Sequence, residues 1–201
     1  MTTRSMLRRT LFREEEPEWL VWALVIILLA VGLIARTIVV NRSSAFSDAN
    51  VSVSYPASWA QAKGDSADEV LVVSESFDAG LFPARFVLRQ MPVTEISTSA
   101  QTLGDFALKW ADRKAKDLLG YKVLSIGETQ VRGKNAVRVD YVYVAEPVIA
   151  TPNSVPIVAE GADVLIRQDD VVTVASMLAS ADAFKGLDGV WGRILGSLEL
   201  K

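Results

Sequence analysis

Apolar and polar positions divide this chain into two unlike parts. From Trp19 to Val40 the sequence WLVWALVIILLAVGLIARTIVV runs for 22 residues with one charge, Arg36, about one turn before its end. At a rise of about 1.5 Å per residue, such a run crosses a hydrocarbon core of about 30 Å. In lipid only an internally hydrogen-bonded helix satisfies the backbone of a single segment. The pattern therefore predicts one transmembrane helix over 19–40. After a polar stretch at 41–50, read as a short linker, the periodicity changes to that of a folded domain over 51–201.

Within that domain Val51, Val53 and Tyr55 alternate with serines and stop at Pro56, the signature of a strand with one buried face. Two more apolar runs, Val70–Ser74 and Arg85–Met91, flank the turn-forming sequence DAGLFP and predict a hairpin. From Thr102 the spacing becomes helical, with Leu103, Phe106, Ala107, Trp110 and Leu118 on one face. Thr102 and Asp105 are placed to cap the start, and Gly120 ends the helix. YKVLSIGETQV and NAVRVDYVYVA follow, joined by Arg132-Gly133-Lys134, as a long antiparallel hairpin. A Pro-punctuated excursion covers 146–162. DVLIRQ and VVTVASML form another strand pair across Gln168-Asp169-Asp170. The stripe of Leu187, Val190, Trp191, Ile194, Leu195 and Leu198 predicts a closing amphipathic helix. Gly186, Gly189, Gly192 and Gly196 in that segment suggest either close approach to the sheet or a short, irregular helix, and close approach is favoured. The order βββα–ββββα, with turns too short for parallel crossovers, gives an α+β fold built on an antiparallel sheet flanked by helices.

Charge orients the apolar segment. Arg4, Arg8, Arg9 and Arg13 precede it, whereas Arg36 and Arg42 lie close behind. The side richer in Lys and Arg stays in the cytoplasm. Residues 1–18 are thus expected to be cytoplasmic and the domain extracytoplasmic. Trp19 and Trp22 mark one interface, and Arg36, its head lifted toward the lipid headgroups, marks the other. The run exceeds the h-region of a cleaved signal peptide and no small-x-small site follows it, so the helix reads as a retained anchor. Glu14, Glu15, Glu16 and Glu18 read as a solvated run rather than a docking patch. Small residues such as Ala30, Gly32 and Ala35, which would let another helix approach, are too few for a packing motif.

Composition narrows the chemistry. Cysteine and histidine are both absent, which removes disulfides, thiolate nucleophiles, zinc sites of the usual kind and every His-based triad. The 157 residues after the first 44 carry 15 basic and 20 acidic groups, a poor match for nucleic acid. There is no phosphate loop, G-x-S-x-G or S-x-x-K pattern. The carboxylate pairs Asp169-Asp170 and Glu160 with Asp163 read as turn geometry rather than as calcium-binding or hydrolytic groups. Trp59, Trp110 and Trp191 read as core rather than as a ligand pocket. No catalytic, cofactor-binding or metal-ligating residue is nominated.

Three features together resemble the PsbP/Mog-like family, which includes an extrinsic protein of photosystem II and a Ran-binding factor. They are Tyr55-Pro56-x-x-Trp59 after the first strand, the mid-domain helix around Phe106 and Trp110, and Trp191-x-x-Ile194-Leu195-x-Ser197-Leu198 at the end. The resemblance spans nearly the whole domain. It implies an αβα sandwich and a role in docking to larger complexes, and it carries over no catalytic residue. The absence of histidine and the uncleaved anchor separate this chain from the photosynthetic protein. The expected function is a non-enzymatic, single-pass accessory or scaffolding subunit in the cell membrane. Its partners are the lipid bilayer and other subunits of a membrane complex. Pro147, Pro152 and Pro156 mark the candidate partner surface. The alternative is a free-standing domain that binds a small ligand between sheet and helix.

Overall fold

The computed structural model describes residues 18–40, 42–76, 82–96, 102–146 and 155–201, and falls into two compact units, 1–41 and 42–201. In the first unit helix α1 covers Glu18–Val40, one residue beyond the span read from hydropathy. Its apolar side chains are exposed on all sides, as are Trp19, Trp22 and Arg36. Among the described residues no helix is long and apolar enough to cross a membrane. The side chains of Leu20, Ala35 and residues 37–40 fall outside the description, which leaves Val21–Ile34 as the longest continuous apolar stretch.

The second unit is α+β. Its main sheet has seven strands in the order β3-β4-β5-β9-β8-β7-β6, all neighbours antiparallel. These are β3 (Ala60–Ala62), β4 (Glu69–Ser74), β5 (Arg85–Pro92), β6 (Lys122–Val131), β7 (Lys134–Ala145), β8 (Ile157–Gln168) and β9 (Val171–Ser180). A smaller antiparallel sheet joins β1 (Ser43–Ser47), β2 (Val51–Pro56) and β10 (Glu199–Leu200). The helices are α2 (Val93–Ile96), α3 (Leu103–Asp117), α4 (Ala181–Phe184) and α5 (Asp188–Ser197), with a 3-10 turn at Lys185–Leu187 between the last two.

Local chemistry explains the elements that position the site. Thr102 and Asp105 form the expected capping box: Asp105 N–H donates to Thr102 Oγ1 at 3.1 Å, and Thr102 N–H to Asp105 Oδ2 at 3.0 Å. Gly120 follows α3 at φ 64°, a conformation glycine adopts at little cost. In the β6–β7 hairpin Arg132 and Gly133 both take positive φ, the geometry that a two-residue turn between twisted strands requires. Strands β8 and β9 are buried on both faces and so read as nearly continuous apolar runs, whereas β7 alternates from Val137 to Ala145.

One face of the main sheet packs against α4, α5 and the small sheet. Phe86, Val164, Met177, Trp191 and Ile194 lie in that core, and the rings of Phe86 and Trp191 are 6.0 Å apart. The opposite face packs against α3 through Phe106, Trp110, Val139, Tyr141 and Leu165. Trp59, Trp110 and Trp191 are all buried.

The structure corrects three expectations. Residues 43–47, within the span read as linker, pair with β2: Phe46 packs against Val53's strand, and SSAFS was too short and polar to show it. The excursion at 146–162 ends early, because β8 begins at Ile157; Glu160, Gly161 and Ala162 are strand residues. The four C-terminal glycines do not mark close approach: a Cβ at Gly186, Gly189, Gly192 or Gly196 would meet nothing within 4 Å, and the segment is instead broken into α4, a 3-10 turn and α5. Close approach does require a glycine at Gly161, directly opposite Tyr141, where a Cβ would lie 2.5 Å from the tyrosine ring. Gly161→Ala is expected to lower stability by about 1–3 kcal/mol. Thermal unfolding of the full chain in mild detergent, followed by circular dichroism, checks this; an unchanged midpoint contradicts the packing described.

Candidate functional site

The α3 face of the sheet holds a buried charge. Asp163 sits in the middle of β8, opposite Val139 of β7 and Ser176 of β9, and is fully inaccessible to solvent. A carboxylate there must be matched, since an unpaired charge in the interior costs several kcal/mol. Lys114, the last inward residue of α3, meets it: Nζ lies 2.8 Å from Asp163 Oδ2 and 3.1 Å from Oδ1. The indole N–H of Trp110, one turn earlier, donates to Oδ2 at 2.6 Å, and the Tyr141 hydroxyl donates to Oδ1 at 3.1 Å while accepting from Lys114. Three donors from α3 and β7 thus saturate one carboxylate. Lys114 Nζ also lies 4.4 Å from the centre of the Tyr141 ring and 5.4 Å from that of Trp110.

A second charged group lies beside it on β5. Arg89 pairs with the buried Glu69 and reaches Asp68 at 3.7 Å, and its guanidinium stands 6.0 Å from the centre of Trp110. Trp110 therefore has cations of the protein's own, Lys114 and Arg89, over its ring. Above these residues a cleft of about 410 Å³ opens between α3, β5 and the loop leading into β4. Trp110, Tyr143, Leu118, Leu178 and Val87 supply its apolar lining; Arg85, Arg113 and Asp117 stand around it. A larger hollow of about 620 Å³ beside the start of α3 carries only one charged residue, Glu128, and Thr102 with Asp105 already caps the helix there.

Burial governs how these groups titrate. Desolvation lowers the Lys114 ammonium below its ordinary range, opposed by the attraction and hydrogen bond of Asp163 and reinforced by Arg89. Burial, then the negative charge of Asp163, raises Tyr141 well above the usual phenol range and raises Tyr121 as well. Tyr143 is pushed up to about 12, by burial first, against Arg85 and with Asp163 adding. The hydroxyls of Tyr121 and Ser176 are buried without a hydrogen-bond partner among the described residues.

Of the residues singled out from sequence, Trp110 is in the core and also lines this cleft. Asp163 is not a turn residue: it is central in β8 and, by strand alternation, points to the opposite face from Glu160. Asp169 does serve a turn, at φ 52°. Pro147 and Pro152 lie outside the described residues, and Pro156 is exposed just before β8. Lys114, Arg89 and Tyr141 escaped the sequence reading. The one available signal was Lys114 itself, a lysine one turn after Trp110 on the apolar stripe. Among the described residues no three carboxylates converge as metal ligands do.

Solved structures share this arrangement of sheet and helices. Cyanobacterial PsbP (CyanoP) of Synechocystis superposes with a TM-score of 0.53 at 11% identity, over 79% of this chain and 92% of its own. The PsbP/Mog-like fold is thereby established for the domain. The Ran-binding protein Mog1p of Saccharomyces cerevisiae matches with a TM-score of 0.53 at 12% identity, over 79% of this chain and 95% of its own. LpqN of Mycobacterium tuberculosis, described as involved in cell envelope biogenesis, matches with 0.51 at 14% identity, over 80% and 91%. No family model matches the sequence, and no curated protein matches it. At these identities the likeness is one of fold.

The raised tyrosines of this PsbP/Mog-like domain set a pH dependence. A tyrosine in the unfolded chain ionises near 10.0, whereas Tyr143 in the native state keeps its proton to about 12. The native state then holds more protons between those values, so the contribution of Tyr143 is complete below pH 10 and is lost as pH rises toward 12. We expect stability to fall across that window, with Tyr143→Phe losing less than the parent by roughly 2 kcal/mol. Unfolding midpoints at pH 8 to 12 check the slope; parallel curves for parent and variant contradict the assignment.

Proposed function

We propose that this chain is a non-enzymatic, single-pass membrane-anchored accessory or scaffolding subunit of a larger membrane complex, with residues 1–18 in the cytoplasm and the PsbP/Mog-like domain docking on the extracytoplasmic side. The observation that carries the reading is the surface of α1. Ile26, Ile27, Leu28 and Leu29, each turned about 100° from the one before, point around the whole circumference of the helix, and each is about 60% exposed. A helix apolar on every side has no polar face to turn to water, and lipid is the solvent that suits it. Trp19 and Trp22 at one end and Arg36 near the other match the two interfaces, and Arg4, Arg8, Arg9 and Arg13 favour retention of the N-terminus inside. One solved neighbour of the domain is named for binding Ran, so the fold serves protein binding in at least that chain.

The cleft beside Lys114 favours a second reading, a membrane-anchored domain that binds a small ligand between sheet and helix. The two readings share the anchor and its orientation and differ in what the domain holds.

The absence of cysteine makes topology directly measurable, because any introduced thiol is unique. In intact cells a membrane-impermeant maleimide is expected to label Ser44→Cys and to spare Thr3→Cys until the membrane is opened. Equal labelling of both removes the proposed orientation. Native sizing after gentle extraction addresses docking: co-migration with other subunits is expected, and a lone particle of 21.9 kDa plus detergent at every concentration contradicts the subunit role.

A further inference from the structure

We propose that the cleft between α3 and strands β4 and β5 binds a small organic oxyanion, a carboxylate or phosphate group joined to an apolar or aromatic body. This rests on the second of the two readings above and names the ligand class for it.

The charges around the cleft form two layers. Asp163 and Glu69 are the buried layer: their side chains are 0% and 4% exposed, and each is committed to a cation, Lys114 or Arg89. These pairs fix the floor. Nearer the opening stand Arg113 and Arg85. Arg113, on the α3 wall with Asp117 one turn after it, makes no ion pair among the described residues. Arg85, on the β5 wall, has Asp65 as its carboxylate partner at 3.4 Å, and the Asp65 side chain is 84% exposed. An ion pair so exposed contributes little, and Asp65 sits on the loop before β4, where its carboxylate can leave Arg85 without disturbing the sheet. Asp65 therefore acts as a stand-in for a ligand oxyanion. Tyr143, which reaches the cleft from β7 near enough to feel the charge of Arg85, adds a phenol that stays protonated far above neutral pH.

The aromatic lining argues against a cationic ligand. Stacking a cation on Trp110 is the usual way such a cleft would recognise one, but Lys114 and Arg89 already occupy that role at 5.4 and 6.0 Å. Leu118, Leu178 and Val87 leave an apolar surface for the remainder of the ligand, and about 410 Å³ suits a compact metabolite-sized molecule.

The test uses the full chain in neutral-detergent micelles and four probes with one ring and different heads: benzoate, phenyl phosphate, benzyl alcohol and benzylammonium. Titration calorimetry is expected to show binding of benzoate, phenyl phosphate or both, with the tighter one identifying the oxyanion, and binding is expected to weaken with salt. Arg85→Gln should weaken it about tenfold, which corresponds to the loss of one charge-assisted hydrogen bond. Asp65→Asn should strengthen it several-fold, about 3-fold or more, because the competing carboxylate is gone. Asp65 is exposed and Arg85 half-buried at the rim of the cleft, and circular dichroism verifies that both variants keep the fold. If benzyl alcohol or benzylammonium binds as well as the anions and Arg85→Gln changes nothing, the ligand class is wrong while small-ligand binding stands. If none of the four binds up to about 10 mM, where even very weak affinity registers, both the class and the reading beneath it fall. If Asp65→Asn weakens anion binding, the stand-in role of Asp65 is overturned.

Discussion

A carboxylate in the centre of a sheet is the constraint around which this domain is arranged. Asp163 lies on β8 with strands on both sides and a helix above it, where water cannot reach its charge. Removing one partner from a buried pair costs about 3–5 kcal/mol, far more than the pair gains over an apolar replacement. The carboxylate thus does less for net stability than for specificity. Only one placement of α3 brings Lys114 to its oxygens and the Trp110 indole N–H to the same atom. A sliding helix would lose both at once. Gly161 belongs to the same constraint, since the Tyr141 ring that supplies a further donor lies where a side chain at 161 would be.

That constraint makes the two faces of the main sheet different in kind. On the side of α4 and α5 the interface is almost wholly apolar, with Phe86, Met177, Trp191 and Ile194 interlocked. Such a face is sealed by packing. On the side of α3 the helix is held by a polar anchor toward its C-terminal half, and β5 sets Arg85 and Arg89 among the apolar Val87 and Met91. The helix cannot close over them, because Arg85 and Arg89 need their own carboxylates and water. The cleft is the geometric result of packing a helix beside charged strand residues. Docking through a loop or an edge and binding within this cleft use separate surfaces, and the fold accommodates both.

Helix α1 and the helices of the domain present their apolar side chains differently. In α1 there is no amphipathic face, and its exposed apolar side chains suit lipid. In α3 apolar residues form one stripe while Lys109, Arg113 and Lys116 stay in water. The same rule, that apolar surface leaves water, underlies the proposal of a membrane segment for α1 and makes α3 a sheet-covering helix.

Sequence by itself determined the elements whose signals are local. The apolar run at 19–40, the capping pair Thr102 and Asp105, the Arg132-Gly133 turn and the alternation of Val137, Val139, Tyr141 and Tyr143 each depend on neighbours within a few residues. They specify an antiparallel α+β domain without knowledge of which strands meet. Tertiary structure decided what depends on distant pairs. The strand at 43–47 exists because β2 offers it an edge, and β8 starts at Ile157 because β7 extends far enough to pair with it. Lys114 and Asp163 are 49 residues apart, and neither looks unusual alone. A lysine on a helix and an aspartate in an apolar run become a site only when the sheet order 9-8-7 places β8 beneath α3. Propensity acts along the chain, whereas the neutralisation of a buried charge acts through space, and that is why the fold was legible in the sequence and the cleft was not.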